Sequence, residues 1–390
     1  MTPAARVQAA IEILDSVIEA AQRGGAPADR IIADWFRTRR FAGSKDRRAV
    51  RELAYRAIRA CGEIPESGRA AMLRVAGEDA ELASLFDGSR HAPAPIDPAE
   101  PVAGTGIAPA WLMERLAASG IGAQEAAALL DRAPLDVRVN TLKAGRLELP
   151  EGGERTAAAN GWRYAPETRI EQAEAYLQGM IEVQDAGSQL TCEAVAARPG
   201  ETVIDLCAGA GGKTLALAAA MENSGTLIAS DADRARLSRL APRAERAGTT
   251  MIETVLLDPG REMQALERFV GAADAVLVDA PCSGTGTWRR NPEARWRLSE
   301  KQLARYAGMQ SALLDVAAGL VRPGGRLVFV TCSLLDEEGA AQAEAFIARH
   351  PGWEAAPPVL PAGVPRGPGL RLSPYHDETD GFFVARFIRL

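Results

Sequence analysis

The chain has 390 residues, 47% of them hydrophobic and 25% charged, with 37 glycines and 24 prolines. That composition suits a globular protein of roughly two or three domains and excludes collagen-like and wholly disordered chains. The net charge is −6, but ten basic side chains face three acidic ones between Arg30 and Arg59, and four arginines face Glu293 alone between Gly286 and Arg297, so two basic islands stand on an acidic body.

Val7, Ile11, Leu14, Ile18 and Ala21 recur at helical spacing, and Ile31, Ile32, Trp35, Leu53, Ala57 and Ile58 continue the pattern, which predicts an all-helical domain over residues 1–90. Pro93, Pro95, Pro98, Pro101 and Pro109 predict a linker over 91–108. Two short helices, Trp111–Ala118 and Ala123–Leu130, and the alternating run Asp136–Leu142 predict a small α/β segment over 109–176. Over 177–390 the apolar runs Thr202–Leu206, Thr226–Ser230, Ile252–Leu257, Ala275–Val278, Arg326–Thr331 and Phe382–Ile388 alternate with helical stretches, which predicts a parallel, doubly wound α/β sheet. No apolar run has the length of a membrane helix, and Glu12, Asp15 and Glu19 stand where a secretion signal avoids acids, so a cytoplasmic protein with no membrane partner is expected.

The first of these strands runs into Cys207-Ala208-Gly209-Ala210-Gly211-Gly212-Lys213, a glycine-rich loop that opens a helix and lets the backbone approach a nucleotide-like ligand. A P-loop is the nearest competitor, since Gly212-Lys213-Thr214 matches its end, but Cys207 stands where its first glycine belongs. A nicotinamide fingerprint fails at Thr214. The arrangement suits S-adenosylmethionine better, with Asp231 after the second strand accepting ribose hydroxyls and Asp258 after the third meeting adenine. The plainer alternative for both is a helix cap or turn former.

Five cysteines without close spacing argue against disulfides and against a metal cluster. Cys61, Cys192 and Cys207 read as buried small hydrophobes. Cys282 and Cys332 differ, because each follows the carboxyl end of a strand, in Asp279-Ala280-Pro281-Cys282-Ser283-Gly284-Thr285-Gly286 and Thr331-Cys332-Ser333, where open α/β sheets bind ligands. Two thiols and Asp279 beside a methyl donor point to methylation of cytosine C5, with one thiolate adding to C6 to activate the ring. Lys213 is a candidate to favour the thiolate. Arg289, Arg290 and Arg295, interleaved with Trp288 and Trp296, suit RNA contacts. So do Arg37, Arg39, Arg40, Lys45, Arg47 and Arg48, with a solvated helical face as the alternative.

Val183-Gln184-Asp185-Ala186-Gly187-Ser188, the glycine-rich loop, the Asp279–Gly286 run and Thr331-Cys332-Ser333-Leu334 together resemble the RNA cytosine-5 methyltransferases, particularly the branch acting on bacterial 16S ribosomal RNA. The likeness extends over residues 105–390, including Asp136–Lys143 and Asp380-Gly381-Phe382-Phe383, and implies a Rossmann-like domain with a mostly parallel seven-stranded sheet. The first 90 residues more weakly resemble a helical RNA-binding domain. By this resemblance Cys332 is the nucleophile, Cys282 assists product release, and Asp279 and Lys213 meet the cytosine. Residues 207–213, Asp231, Asp258 and Asp279 hold S-adenosylmethionine. The chain departs from the family pattern at Gly209-Ala210, where the family reads Ala-Pro, and at Gly339-Ala340, where it reads Asn-Glu. An S-adenosylmethionine-dependent RNA methyltransferase, monomeric and most readily acting on 16S ribosomal RNA, is expected. Transfer RNA as substrate, a non-catalytic RNA-binding assembly factor and a P-loop ATPase are the alternatives.

Overall fold

The computed structural model describes residues 1–143 and 148–390. The chain forms two compact units, Met1–Asp131 with Thr287–Ser299, and Arg132–Gly286 with Glu300–Leu390. Among the described residues no helix is long and apolar enough to cross a membrane.

The first unit is helical: α1 (Pro3–Arg23), α2 (Ala28–Arg37), α3 (Ser44–Ala60), α4 (Gly68–Ala76), α5 (Ala80–Ser84), α6 (Ala110–Ala118) and α7 (Ala123–Ala128). The Thr2 hydroxyl accepts the Ala5 N–H and Pro3 occupies the first turn of α1, while Gly24 closes it in the left-handed conformation. Its apolar stripe, Val7, Ile11, Leu14, Ile18 and Ala21, is buried against α3 and α4. Two expectations change here. The proline-rich stretch is not a domain boundary, since Arg69 donates to the Ala94 and Pro95 carbonyls and pairs with Glu100, and the boundary falls at residue 131. The expected 109–176 segment is therefore divided between the two units.

The second correction concerns the basic island at 287–299. Trp296 belongs to the core of the helical unit, and its indole N–H donates to the Gly62 carbonyl at 3.2 Å. The Arg295 guanidinium has no exposed surface and donates to the carbonyls of Pro292, Ile58 (2.6 Å) and Cys61 (2.7 Å). Arg289 is buried too, with its carbonyl accepting from Arg59, and Arg290 is half-buried. Arg295 is thus a structural group rather than an RNA contact, because the end of α3 leaves carbonyls without helical donors and this buried arginine satisfies them, and Arg289 is too buried to present its guanidinium to RNA. Burial pulls the Arg295 guanidinium down to about 10.

The second unit begins with a four-stranded antiparallel sheet of order β2-β3-β1-β4, built from β1 (Leu135–Val139), β2 (Glu154–Arg155), β3 (Gly161–Tyr164) and β4 (Ile181–Val183). Helices α8 (Glu174–Leu177) and α9 (Ala186–Glu193) flank β4. The main sheet follows: β5 (Thr202–Asp205), α10 (Gly212–Ala220), β6 (Thr226–Asp231), α11 (Arg234–Leu237), α12 (Leu240–Ala247), β7 (Ile252–Leu256), α13 (Glu262–Ala265), β8 (Ala273–Asp279), α14 (Glu300–Leu320), β9 (Val321–Thr331), α15 (Ala340–Arg349), β10 (Trp353–Ala355), β11 (Val364–Arg366), β12 (Gly369–Leu372), α16 (Pro374–Asp377) and β13 (Phe382–Arg389). Val203, Ile204, Leu227, Ile228, Val276 and Leu327–Val330 have no exposed surface, as strands covered by helices on both faces require.

The order is β11-β12-β13-β9-β8-β5-β6-β7, with β10 beside β13. Among the described residues this sheet has nine strands rather than the expected seven, and β13, which was expected to continue the parallel set, runs antiparallel to β9. The short strands β10, β11 and β12 carry three or four residues of weak pattern each, too little to be read ahead of the structure.

Replacing Arg295 by methionine is expected to lower the stability of the helical unit by about 3 kcal/mol, because buried carbonyls lose their donors. The drop is read as a lower urea midpoint in circular dichroism.

Candidate active site

The site lies at the carboxyl ends of the parallel strands, where each chain turns from strand to helix. After β5, Gly209 and Gly211 take φ of +55° and +87°, and a Cβ on Gly211 would stand 2.0 Å from Leu240. Only glycine serves there. Asp231, ending β6, accepts the Gly209 N–H at 2.7 Å on one carboxylate oxygen and the Asp233 N–H at 2.7 Å on the other. It therefore shapes the loop, as the turn-former alternative anticipates, and its remaining lone pairs are left for a ligand diol. Asp258 is exposed beyond β7.

An adenosyl cofactor fits the residues of this edge. A Cβ on Gly212 would meet nothing within 4 Å, so the helix start is open. Asp205 is fully buried, accepts the Thr214 hydroxyl at 2.7 Å on one oxygen and has no protein partner for the other. Burial pushes its carboxyl up to about 7, with the Thr214 hydrogen bond opposing that rise. Where the family pattern has Ala-Pro, the Gly209-Ala210 departure is supported from α12: Arg243 donates to the Ala210 carbonyl at 2.6 Å and to buried Glu182 at 3.1 Å.

Parallel pairing of β8 with β9, Asp279 opposite Val330, brings the two cysteine turns together. The Sγ atoms of Cys282 and Cys332 are 3.3 Å apart, within hydrogen-bond reach, and both residues are partly exposed. The Lys213 ammonium reaches the Asp279 carboxylate at 2.7 Å and lies 5.5 Å from the Phe382 ring centre. Burial pulls Lys213 down, but the charge and hydrogen bond of Asp279 lead the opposing effects and the ammonium is held above its ordinary value. The hydrogen bond to Cys332 raises the Cys282 thiol well above the usual thiol range, and burial and the Glu338 charge add to the rise. Burial raises the other cysteines as well, Cys61 to about 11, Cys192 to about 12 and Cys207 well above its usual value.

A residue to which the sequence reading gives no role holds the two turns together. Glu338 has no exposed surface, and its carboxylate accepts the Ser283 N–H at 2.8 Å, the Ser283 hydroxyl and the Gln310 amide at 3.1 Å. Its own carbonyl accepts the Thr331 hydroxyl at 3.1 Å, so one residue ties the turn bearing Cys282 to the strand bearing Cys332. Ser333 bridges to Thr285 at 3.1 Å, and Gly286 donates to the Cys332 carbonyl at 3.0 Å. At the neighbouring departure from the family, a Cβ on Gly339 would stand 2.9 Å from the Phe383 ring, so the small residue fits close packing. The Glu337-Glu338 pair was visible in sequence, but adjacent acids say nothing of burial.

The other shared motifs prove architectural. Asp185 caps α9 and accepts the Asp380 N–H, Gln184 accepts from buried Arg138 at 2.7 Å, and Asp136 takes both Arg163 nitrogens and the Ala186 N–H. They fasten α9 and the start of β13 around the site. The basic residues Arg37, Arg40, Lys45, Arg47 and Arg48 of the helical unit are exposed, and Arg39 is half-buried, 3.9 Å above the Trp35 ring.

The sequence pattern of the family described as 16S rRNA methyltransferase RsmB/F matches residues 192–388. The chain is 35% identical over 297 residues to the probable ribosomal RNA small subunit methyltransferase B of Synechocystis sp., covering 71% of this chain and 66% of the relative. To ribosomal RNA small subunit methyltransferase B of Salmonella arizonae it is 38% identical over 217 residues, 55% of this chain and 48% of the relative. It thus spans between about half and just under two thirds of these curated relatives. The crystal structure of PH0851 superposes with a TM-score of 0.77 at 25% identity, covering 98% of this chain and 99% of that one.

Two outcomes follow from the buried carboxylates. Between about pH 4 and about pH 7 folded Asp205 keeps a proton that the unfolded chain has released, so its contribution to stability falls as pH rises, by up to about 1.4 kcal/mol per pH unit. Asp205→Asn is expected to flatten that slope in urea unfolding at pH 5 and pH 7.5. Glu338→Ala leaves the Ser283 donors unpaired and is expected to cost about 3 kcal/mol by the same measurement.

Proposed function

We propose that this chain, which belongs to the 16S rRNA methyltransferase RsmB/F family, is an S-adenosylmethionine-dependent enzyme that forms 5-methylcytosine in small-subunit ribosomal RNA, in the cytoplasm. The observation that carries the reading is the pair of thiols 3.3 Å apart at neighbouring strand ends, with the Lys213–Asp279 ion pair at the same edge of the sheet. The similarity to proteins named ribosomal RNA small subunit methyltransferase B favours ribosomal RNA over tRNA.

Residues 207–213, Asp231 and Asp258 hold the cofactor, which when bound supplies an electrophilic methyl group. The target cytosine leaves its stack to reach the strand ends. Cys332, as thiolate, adds to C6, and the C5–C6 electron pair becomes available at C5. Asp279 meets the ring's amino edge as a hydrogen-bond acceptor, and the Lys213 ammonium offsets the negative charge that this addition creates. Once C5 bears the methyl group, loss of its proton restores the C5–C6 double bond and expels the Cys332 thiolate.

Cys282 serves that release, and its environment changes at the right moment. Before addition, its thiol is held protonated chiefly by the hydrogen bond to Cys332 and can donate to that sulfur. When the Cys332 sulfur is bonded to C6 it is neutral and a poor acceptor, so the hydrogen bond that chiefly raises Cys282 is lost, Cys282 gives up its proton to solvent, and the thiolate so formed takes the proton from C5. RNA phosphates are met by the exposed Arg37, Arg40, Lys45, Arg47 and Arg48, with Arg39 beside them.

Cys332→Ala is expected to abolish transfer of labelled methyl to 16S RNA while S-adenosylmethionine still binds in calorimetry. Retained transfer would reject it as the nucleophile. Cys282→Ala is expected to accumulate an RNA–protein adduct that survives denaturing electrophoresis, and clean turnover would remove it from the release step.

A further inference from the structure

The helical unit carries a groove of about 510 Å³, a size suited to a small-molecule group, that the reaction described above does not use. Its walls are the first turns of α1, the stretch from Trp35 to Phe41 and the turn bearing Arg90 and His91. We propose that this groove binds one unpaired nucleotide of the RNA substrate, with the base stacked on Phe41 and the phosphate met by Arg39 and Arg90. The inference rests on RNA being the substrate and adds a subsite apart from the cysteines.

Phe41 is 73% exposed, an unusual place for a large aromatic ring, and it lies directly after Arg39 and Arg40. Arg39 covers the Trp35 ring, which stiffens that wall, and makes only long contacts, with Glu12 at 3.4 Å, the Trp35 carbonyl at 3.4 Å and the Thr38 hydroxyl at 3.3 Å, while the Arg39 and Glu12 side chains are both more than a third exposed. The Trp35 indole N–H is buried without a partner. Glu12 and Gln8 line the same groove and offer an acceptor and an amide to a base edge, which carries donors and acceptors of its own. His91, also in the lining, holds φ of +68°, a conformation rare outside glycine, in a turn closed by the Gly88 N–H to the Pro93 carbonyl at 3.0 Å. That turn presents exposed Arg90. Arg39 and Arg90 line the groove, and the exposed cations Arg37, Arg40 and Lys45 lie within four residues of Phe41 in sequence, so the charge suits a polyanion, and a flat ring among arginines is the arrangement that holds single-stranded bases.

The test uses the full chain, a short single-stranded RNA and the same RNA with its bases removed. Phe41→Ala is expected to weaken binding of the base-bearing RNA about five- to 150-fold, the range for one stacked base, and to leave the slope of affinity against salt unchanged. Arg90→Gln is expected to reduce that slope by about one. The penalty for removing the bases is expected to shrink in Phe41→Ala, with cofactor affinity and methyl transfer at saturating RNA as in the native protein. Native RNA affinity in Phe41→Ala overturns the subsite, as does self-association of the native chain that Phe41→Ala abolishes, which would assign the groove to a second copy. If no methyl transfer is found but the base-dependent loss at Phe41 persists, the proposed reaction fails and the subsite stands.

Discussion

Parallel pairing of β8 with β9 sets the edge that bears the two cysteines, because it delivers two strand ends, and therefore two sharp turns, to the same place. Strand pairing alone leaves the turns free to diverge. Glu338 removes that freedom by accepting three hydrogen bonds with a carboxylate that has no contact with water, two from Ser283 and one from Gln310, while Gln310 also holds the Pro281 carbonyl at 2.9 Å. A buried carboxylate is costly unless its lone pairs are filled, so the arrangement favours one geometry strongly over its neighbours. The separation of the two sulfurs is the readout of that network.

The two basic islands meet opposite fates for a reason that charge counts do not contain. Arginines of residues 37–48 stand mostly in solvent, where their guanidinium groups are available to phosphate. Arg295 and Arg297 instead donate to backbone carbonyls of the helical unit, Arg295 at the end of α3 and Arg297 at Gly25 and Ala26. A guanidinium suits both tasks, since five donors in a planar fork meet phosphate oxygens and peptide oxygens alike.

The parallel strands were legible because doubly buried strands leave continuous apolar runs such as Val276–Val278, and the cysteine pair because both residues follow such runs directly. Asp231 was legible in position but served two readings at once, and the structure shows it holding its own loop. Burial of Arg295 and Glu338 was not legible, since their partners are main-chain groups far off in sequence and carry no side-chain signature. The direction of β13 escaped for a similar reason: Phe382–Arg389 has the pattern of a buried strand, and pattern does not distinguish parallel from antiparallel neighbours. The extent of the helical unit was misjudged because prolines mark irregular backbone, which here packs on Arg69 instead of spanning open space.

Because Arg295 binds the Ile58 carbonyl across 237 positions, the helical unit is assembled from pieces made at very different times during translation. Helices α1–α7 leave the ribosome early, yet the tryptophan and arginine that complete their interior emerge only after strands β5 to β8 of the main sheet have been synthesised. The nascent helices must therefore wait in an unfinished state, with open carbonyls and a vacancy the size of an indole. Completion of that unit thus reports that the ribosome has passed the loop bearing Cys282.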